Sequence, residues 1–373
     1  MDADVAVIGV GTMGSAAAWQ LASRGAKVLG FERYAPGHDK GAGHGETRIF
    51  RTAYGEGTEY VPFLQEAKKL WRQLETETGN NIYEETGRII ISEKKDLETE
   101  INGANLHNLP YELLDAQEAS VRFPQHKYEE NDMVYVDPEA GFVRPELAIQ
   151  AASQRAIELG ARIYCGVSVT AIEPDDAGVT IYCGEESFRV GHVVVSAGAW
   201  ASKLLPQLSL PVWVERQILV WYRAKNPDAF TLENFPTFAR EREGHRWYGF
   251  PSLDGDLVKV AFHHGGDTVD PDTIDRATHK EDTELLSNFI ERYIPDLDPN
   301  PVKAKVCMYT NTPDNHFIIG PVSGLPNVTM LGPMAGHGFK FAPIMGKLVA
   351  EVATGATPAL NIDMFRPDRL IRV

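Results

Sequence analysis

Four stretches of this sequence have residue types and spacings suited to chemistry on a bound cofactor. The first is Gly9-Val-Gly11-Thr-Met-Gly14 with Glu32 beyond it. Gly9 permits a tight turn, Gly11 lets a pyrophosphate reach the backbone, and Gly14 lets a helix pack close to a strand. The amides at that helix N-terminus suit phosphates, and Glu32 is placed to accept from an adenosine ribose. The motif alone does not separate FAD from a nicotinamide dinucleotide. The second stretch carries Arg48 and Arg51, in a Gly- and His-rich segment over 36–57. They could share a helical face or be presented separately, and in an acidic chain such arginines also serve as surface ion pairs. The third holds Cys307, in the run Lys305-Val-Cys-Met-Tyr-Thr310. By composition a single cysteine in an apolar strand is buried filler. The fourth, Gly332-Pro-Met-Ala-Gly336-His-Gly338, opens a second helix, whose positive end suits the electron-rich part of a flavin ring.

These residues need elements to hold them. An apolar run over 4–9, the glycine turn, an alanine-rich helix stopped by Gly25 and a strand ending at Glu32 make a strand–turn–helix–strand unit. An amphipathic helix is expected over 60–78, with Leu64, Ala67, Trp71 and Leu74 on one stripe and Gly79 after it. Asp115 and Glu118 read as a capped helix start, and Pro145 and Gly160 bracket another helix. Strands are expected at 86–92, 162–165, 167–173, 178–183 and 187–190, then from His192 into the small-residue turn before Trp200. From Pro211 the texture changes to long apolar and aromatic strands at 212–222, 247–250 and 257–263, with one helix near 280–293. This section reads as an antiparallel sheet. A last strand at 327–331 leads through the fourth stretch into a helix over 339–354.

Composition excludes several classes. At 373 residues the chain has room for about two domains. A net charge of −16 argues against nucleic acid or an anionic membrane as partner. The three cysteines, Cys165, Cys183 and Cys307, form no CxxC pair, so neither a disulfide framework nor a metal site is expected. The chain opens on its first strand without a signal-peptide pattern, and it has no apolar run of membrane-spanning length. The cytoplasm is the expected location.

Five pieces occur together and in order: Gly9-x-Gly-x-x-Gly14, Thr47-Arg-Ile-Phe-Arg51 with Ala53-Tyr-Gly-Glu-Gly57, Tyr248-Gly-Phe-Pro251, Cys307-Met-Tyr-Thr310, and Gly336-His-Gly-Phe-Lys-Phe341. The sequence therefore resembles the family of monomeric sarcosine oxidase and N-methyltryptophan oxidase, within the D-amino-acid-oxidase-like flavoproteins. The resemblance covers nearly the whole chain. It implies an α/β (α+β) fold: a Rossmann-like FAD-binding domain and a second domain built on a mostly antiparallel sheet. The first would be assembled from 1–85, 141–210 and 305–373, the second from 86–140 and 211–304.

The resemblance implies oxidation of a secondary amino acid such as sarcosine to an imine, with O2 reduced to hydrogen peroxide, in a monomer. It turns Cys307 from filler into the anchor of a thioether to the 8-methyl group of FAD. It makes Arg51 and Lys340 the holders of the substrate carboxylate, joined by Tyr309, and Lys259 and Arg48 the cations near the flavin, with Lys259 activating oxygen. Tyr248 and His263 would shape the pocket, although His263 beside His264 also fits plain strand polarity. Cofactor contacts are implied at Gly9, Gly11, Thr12, Met13, Gly14, Glu32 and Arg33. Others are implied at His44, Thr47, Arg48, Val169, Cys307, Gly336, Gly338, Phe339 and Lys340. No metal is implied. Two departures stand out. The family's Ser-His-His-Gly is Ala42-Gly43-His44-Gly45 here, so only His44 carries over. Ala239 falls where sarcosine oxidase has a bulky pocket residue, which points to a larger substrate side chain. Other readings are N-methyltryptophan, a cyclic imino acid or a fructosyl amino acid as substrate, an NAD-dependent dehydrogenase, and a non-catalytic flavin module.

Overall fold

The computed structural model describes residues 1–370, so residues 371–373 of the segment 305–373 lie outside the described residues. The first apolar run forms the strand Ala3–Ile8, and the helix Thr12–Ser23 follows Gly11 directly. Ala16, Ala17, Ala18, Trp19 and Leu21 of that helix are all buried, because it packs against the helices Pro145–Glu158 and Ala342–Ala353. Small residues allow the approach: a Cβ on Gly346 would lie 2.6 Å from the Ala16 carbonyl carbon.

Most strands of the described residues lie in two large sheets. The eight-stranded sheet runs Ala171–Asp175, Gly178–Cys183, Glu186–Val195, Ala3–Ile8, Val28–Glu32, Arg162–Cys165. Ala3–Ile8 is parallel to both neighbours, Val328–Leu331 lies parallel to Glu186–Val195, and Ile319–Pro321 pairs antiparallel with Val328–Leu331 as the eighth strand. Its central strands are almost entirely buried, as a sheet covered on both faces requires. The nine-stranded sheet runs Thr268–Val269, Trp213–Ala224, Leu257–Phe262, His245–Gly249, Thr237–Arg242, Arg88–Ser92, Met133–Asp137, Glu112–Asp115, with Leu297–Asn311 paired to Trp213–Ala224. All its pairings are antiparallel except Thr237–Arg242 with Arg88–Ser92. A small third sheet joins Arg48–Phe50, Gly141–Val143 and Tyr83–Glu84.

The fold thus matches the expected pairing of a Rossmann-like unit with a mostly antiparallel sheet. The Asp115–Glu118 capping box forms, with Glu118 N 2.8 Å from the Asp115 carboxylate. Local expectations shift in four places. Glu186–Val195 is one unbroken strand. Residues 167–170 leave the sheet after the Gly166 and Val167 amides bond to Tyr34 and Glu32, and the strand resumes at Ala171. The last helix begins with a tight turn, Phe339–Phe341, before Ala342–Ala353. Leu297–Asn311 crosses position 305 without a break and carries Cys307 into the nine-stranded sheet.

Candidate active site

The glycine turn packs as its spacing demands. Gly9 has φ +88°, and a Cβ there would lie 2.6 Å from the Ser196 carbonyl oxygen. A Cβ on Gly14 would collide with the Gly9 carbonyl, whereas around Gly11 there is open space. Gly11, Thr12 and Met13 line one cavity of about 680 Å³, together with Glu32, Arg33 and Val169. The helix Thr12–Ser23 has no side-chain cap, so its first amides are left for a ligand. Glu32 accepts from the Val10 amide at 2.8 Å and the Tyr34 amide at 2.9 Å, and His38 Nε2 is 3.3 Å away. Burial raises its pKa, but the His38 contact and the backbone bonds outweigh that, and the carboxyl ends below its usual range. Arg33 is tied to Asp272 at 3.1 Å. The turn Ser196-Ala-Gly198 also lines this end.

The same cavity continues to Arg48, Arg51, Tyr248, His263, Tyr309 and the loop Gly336–Lys340. Its floor is one face of the nine-stranded sheet. Residues two apart share a face, and the pairings Ala239–Tyr248–Ala261 and Leu219–Lys305 fix the register. Thus Ala239, Tyr248, His263 and Tyr309 line the cavity from four different strands or their ends. The His263 Nδ1 lies 3.4 Å from the Tyr309 hydroxyl. Burial, and then the neighbouring His264, hold His263 well below the ordinary imidazole pKa. Gly336 has φ +73°, and a Cβ there would press within 2.6 Å of the Tyr309 ring.

The two arginines are presented separately. Arg48 starts the strand Arg48–Phe50 and Arg51 follows its end, and each reaches the cavity with its own set of partners. Arg48 donates to the Thr47 and Ala42 carbonyls at 2.9 and 2.8 Å and stands 3.4 Å from Cys307 Sγ. Arg51 donates to Glu56 at 2.6 Å, lies 3.6 Å from Glu100 and covers the Tyr54 ring at 4.4 Å. Lys340 Nζ donates to the His337 carbonyl at 2.7 Å. Burial, then the nearby Arg51 charge, pull the Lys340 pKa down to about 7.

Gly14, packed under the glycine turn, is off the cavity wall, and four more of the expected site residues lie behind it: Cys307, Lys259, His44 and Thr47. All are buried. Lys259 Nζ donates to the Gly45 and Thr47 carbonyls, both at 2.6 Å, and sits 4.3 Å from the Phe250 ring centre. Burial and then Arg48 hold its pKa well below that of an ordinary lysine. His44 is pushed down to about 3 by burial and Arg48, and neither ring nitrogen has a partner. No group of His, Cys, Asp and Glu among the described residues has the makings of a metal site.

Five charged residues of the cavity escaped sequence reasoning: Glu56, Arg88, Lys203, Arg246 and Asp272. Arg88 had a signal, a lone charge in the apolar run Arg-Ile-Ile-Ile-Ser. Glu56 lies in the stretch Ala53-Tyr-Gly-Glu-Gly57, where nothing in the sequence marks Arg51 as its partner.

Residues 4–352 match the family described as DAO, FAD dependent oxidoreductase. The chain is 39% identical to the monomeric sarcosine oxidase of Streptomyces avermitilis, over 98% of this chain and 97% of that protein. It is 33% identical to the N-methyl-L-tryptophan oxidase of Salmonella heidelberg, over 99% of each. Two solved structures share the fold. NikD, an unusual amino acid oxidase essential for nikkomycin biosynthesis, has a TM-score of 0.86 at 24% identity and covers 98% of this chain and 97% of its own. Glycine oxidase from Geobacillus kaustophilus has a TM-score of 0.82 at 22% identity and covers 100% and 99%.

Proposed function

The chain belongs to the DAO family of FAD dependent oxidoreductases, and on that premise we propose that it oxidises secondary, N-methyl amino acids such as sarcosine. The products are an imine and hydrogen peroxide. The observation that carries the proposal is the placement of two buried cations, Arg51 and Lys340, on a cavity whose far end is a dinucleotide cradle. The names of the relatives in sarcosine and N-methyl-L-tryptophan oxidation support it. The family description names FAD, so the nicotinamide alternative is not carried further.

When bound, FAD supplies the two-electron acceptor for the carbon next to nitrogen and the route by which O2 is reduced. The glycine turn, Thr12, Met13 and Glu32 suit its adenosine diphosphate, with Arg33 and Val169 beside them. Arg48, Gly336, Gly338 and Phe339 suit the ring end, and His44 and Thr47 brace the Arg48 segment from behind. Cys307 is proposed as the covalent anchor.

Arg51 takes the substrate carboxylate through its planar fork, and Lys340 adds a point charge. Glu56 holds Arg51 Nη2 while Nη1 has no hydrogen-bond partner, so the incoming anion meets the guanidinium beside Glu56 and competes with it for the charge. Tyr248, His263 and Tyr309 wall the amine, and His263, kept neutral by burial, accepts from its N–H. The amine binds uncharged, so no side chain is needed as a general base. Lys259 provides positive charge where O2 is reduced. The small Ala239 favours a side chain larger than that of sarcosine. Division into an FAD-binding unit (1–85, 141–210, 305–373) and a substrate unit (86–140, 211–304) belongs to the same proposal. So does a monomer in the cytoplasm, the first in line with the name of the monomeric sarcosine oxidase relative; among the described residues no helix is long and apolar enough to cross a membrane.

The test is peroxide release by the purified holoenzyme on a panel of N-methyl and cyclic secondary amino acids, with anaerobic bleaching of its visible spectrum. Bleaching by sarcosine or an N-methyl amino acid is expected. A yellow protein that no secondary amino acid bleaches is a flavin-binding module and not this oxidase.

A further inference from the structure

One charged group on the cavity wall has no part in the chemistry above. Arg88 begins the strand Arg88–Ser92, lines the cavity and is 4% exposed. Its Nε and Nη1 are buried and meet no hydrogen-bond acceptor among the described residues. A guanidinium desolvated in this way is costly unless something completes it. Burial and then Arg51 pull its pKa down to about 9. Two buried acids, Glu100 and the cross-strand neighbour Asp137, act on its charge from nearby, but neither forms an ion pair with it among the described residues. Glu100 faces Arg51 at 3.6 Å, and Asp137 accepts from the Glu139 amide at 3.1 Å. Arg246, also on the wall, is drawn to Glu56 and Glu241 at 3.9 and 3.6 Å.

There is room in front of Arg88. The strand Thr237–Arg242 pairs Thr237 with Arg88 and Ala239 with Ile90, and Ala239 also pairs with Tyr248. Arg88, Ala239 and Tyr248 therefore share the face that lines the cavity. On that face the strand beside Arg88–Ser92 presents only the methyl group of Ala239 next to Tyr248.

We infer that Arg88 receives a second carboxylate, so that the preferred substrate is a secondary amino acid bearing a second acidic group. Arg51 and Lys340 hold the α-carboxylate, and Arg88 holds the distal one across the space left by Ala239. The inference rests on the oxidase reading above and narrows its substrate class. An uncharged side chain of the same size would leave the guanidinium desolvated and unpaired, so the site discriminates by what the wrong substrate leaves unmade.

The test compares kcat/KM of the holoenzyme on N-methyl-L-glutamate, N-methyl-L-glutamine and sarcosine. The acid is expected to exceed its amide by about tenfold or more, the range for a hydrogen bond to a charged group. Arg88→Met should bring the acid-to-amide ratio toward unity, chiefly through KM, and Arg88→Lys should restore part of it. A merely structural arginine would lower all three substrates together and leave the ratio unmoved. Calorimetric binding of the thioether analogue of the acid, with sulfur in place of nitrogen, should weaken in parallel in Arg88→Met. Oxidation of sarcosine with equal rates for acid and amide overturns this inference and leaves the oxidase reading intact. Oxidation of none of the three overturns both. If Arg88→Met does not fold, the wild-type ratio decides.

Discussion

The Arg48 guanidinium stands 3.4 Å from the Cys307 sulfur and lines the cavity, whereas Cys307 does not. A thioether at Cys307 therefore requires Arg48 to yield its place beside the thiol. The expected outcome is that yellow colour stays with the acid-precipitated pellet of the purified protein. Cys307→Ser, nearly isosteric, should move it to the supernatant while the protein still folds, at a cost of about 1–2 kcal/mol for the buried hydroxyl. Colour in the supernatant of the unmodified protein would return Cys307 to the status of a packed strand cysteine.

Lys259 is held by two carbonyls, those of Gly45 and Thr47. That leaves two roles for it, positive charge for oxygen reduction or a brace for the segment before Arg48. Lys259→Met separates them. The charge role predicts that reoxidation by O2 slows on the order of 100-fold while anaerobic reduction by substrate changes little. Rapid-mixing measurements of the two half-reactions read this directly. Equal losses in both would assign Lys259 to the brace.

Glu56 is both the counter-ion of Arg51 and the rival of any substrate carboxylate. Burial raises its pKa, but Arg51 and the other nearby cations hold it well below the usual carboxylate range. Stability from this pair is therefore present above the unfolded carboxyl pKa and lost as pH falls through the folded one. Glu56→Gln should destabilise the ligand-free protein by about 1–3 kcal/mol, since it leaves the buried Arg51 with only the longer contact to Glu100 at 3.6 Å. It should also tighten binding of a carboxylate inhibitor several-fold. Thermal melts and calorimetry check the two signs, and a weaker-binding variant would mean that Glu56 orients Arg51 rather than competes for it.

The dinucleotide cradle is legible because its signal is local: Gly9 and Gly14 answer steric demands within one turn, and Gly11 keeps the space in front of that turn open. The substrate end is less so. Glu56 and Arg51 are close in sequence, but their bond depends on a loop with no periodicity. Arg88, Ala239 and Arg246 meet through strand pairings across more than one hundred positions, and the charged residues of the strand Thr237–Arg242 hide its alternation. The strand of Cys307 was recognised, but its sheet was not, because Leu297–Asn311 pairs with Trp213–Ala224, which period alone does not reveal.

Lys340 gives the site a pH dependence of definite sign. Its pKa is lowered to about 7 by burial and then by Arg51, against about 10.4 for a lysine in the unfolded chain. Between those values the unfolded state binds more protons, so stability of the ligand-free protein rises with pH across that window. Anion binding has the opposite slope. Below pH about 7 Lys340 is charged and assists Arg51; above it, binding must recruit a proton, and affinity falls toward about tenfold per pH unit. A substrate amine titrates too, so the clean probe is a thioether acid, whose sulfur carries no proton. Its dissociation constant should be flat at low pH and climb above about pH 7. In Lys340→Met the curve should be flat throughout and start weaker, because Arg51 keeps its charge at every pH in the range. A wild-type curve with no break would mean that Lys340 is charged throughout, held up by Glu56, and that Arg51 and Lys340 act as one fixed dication.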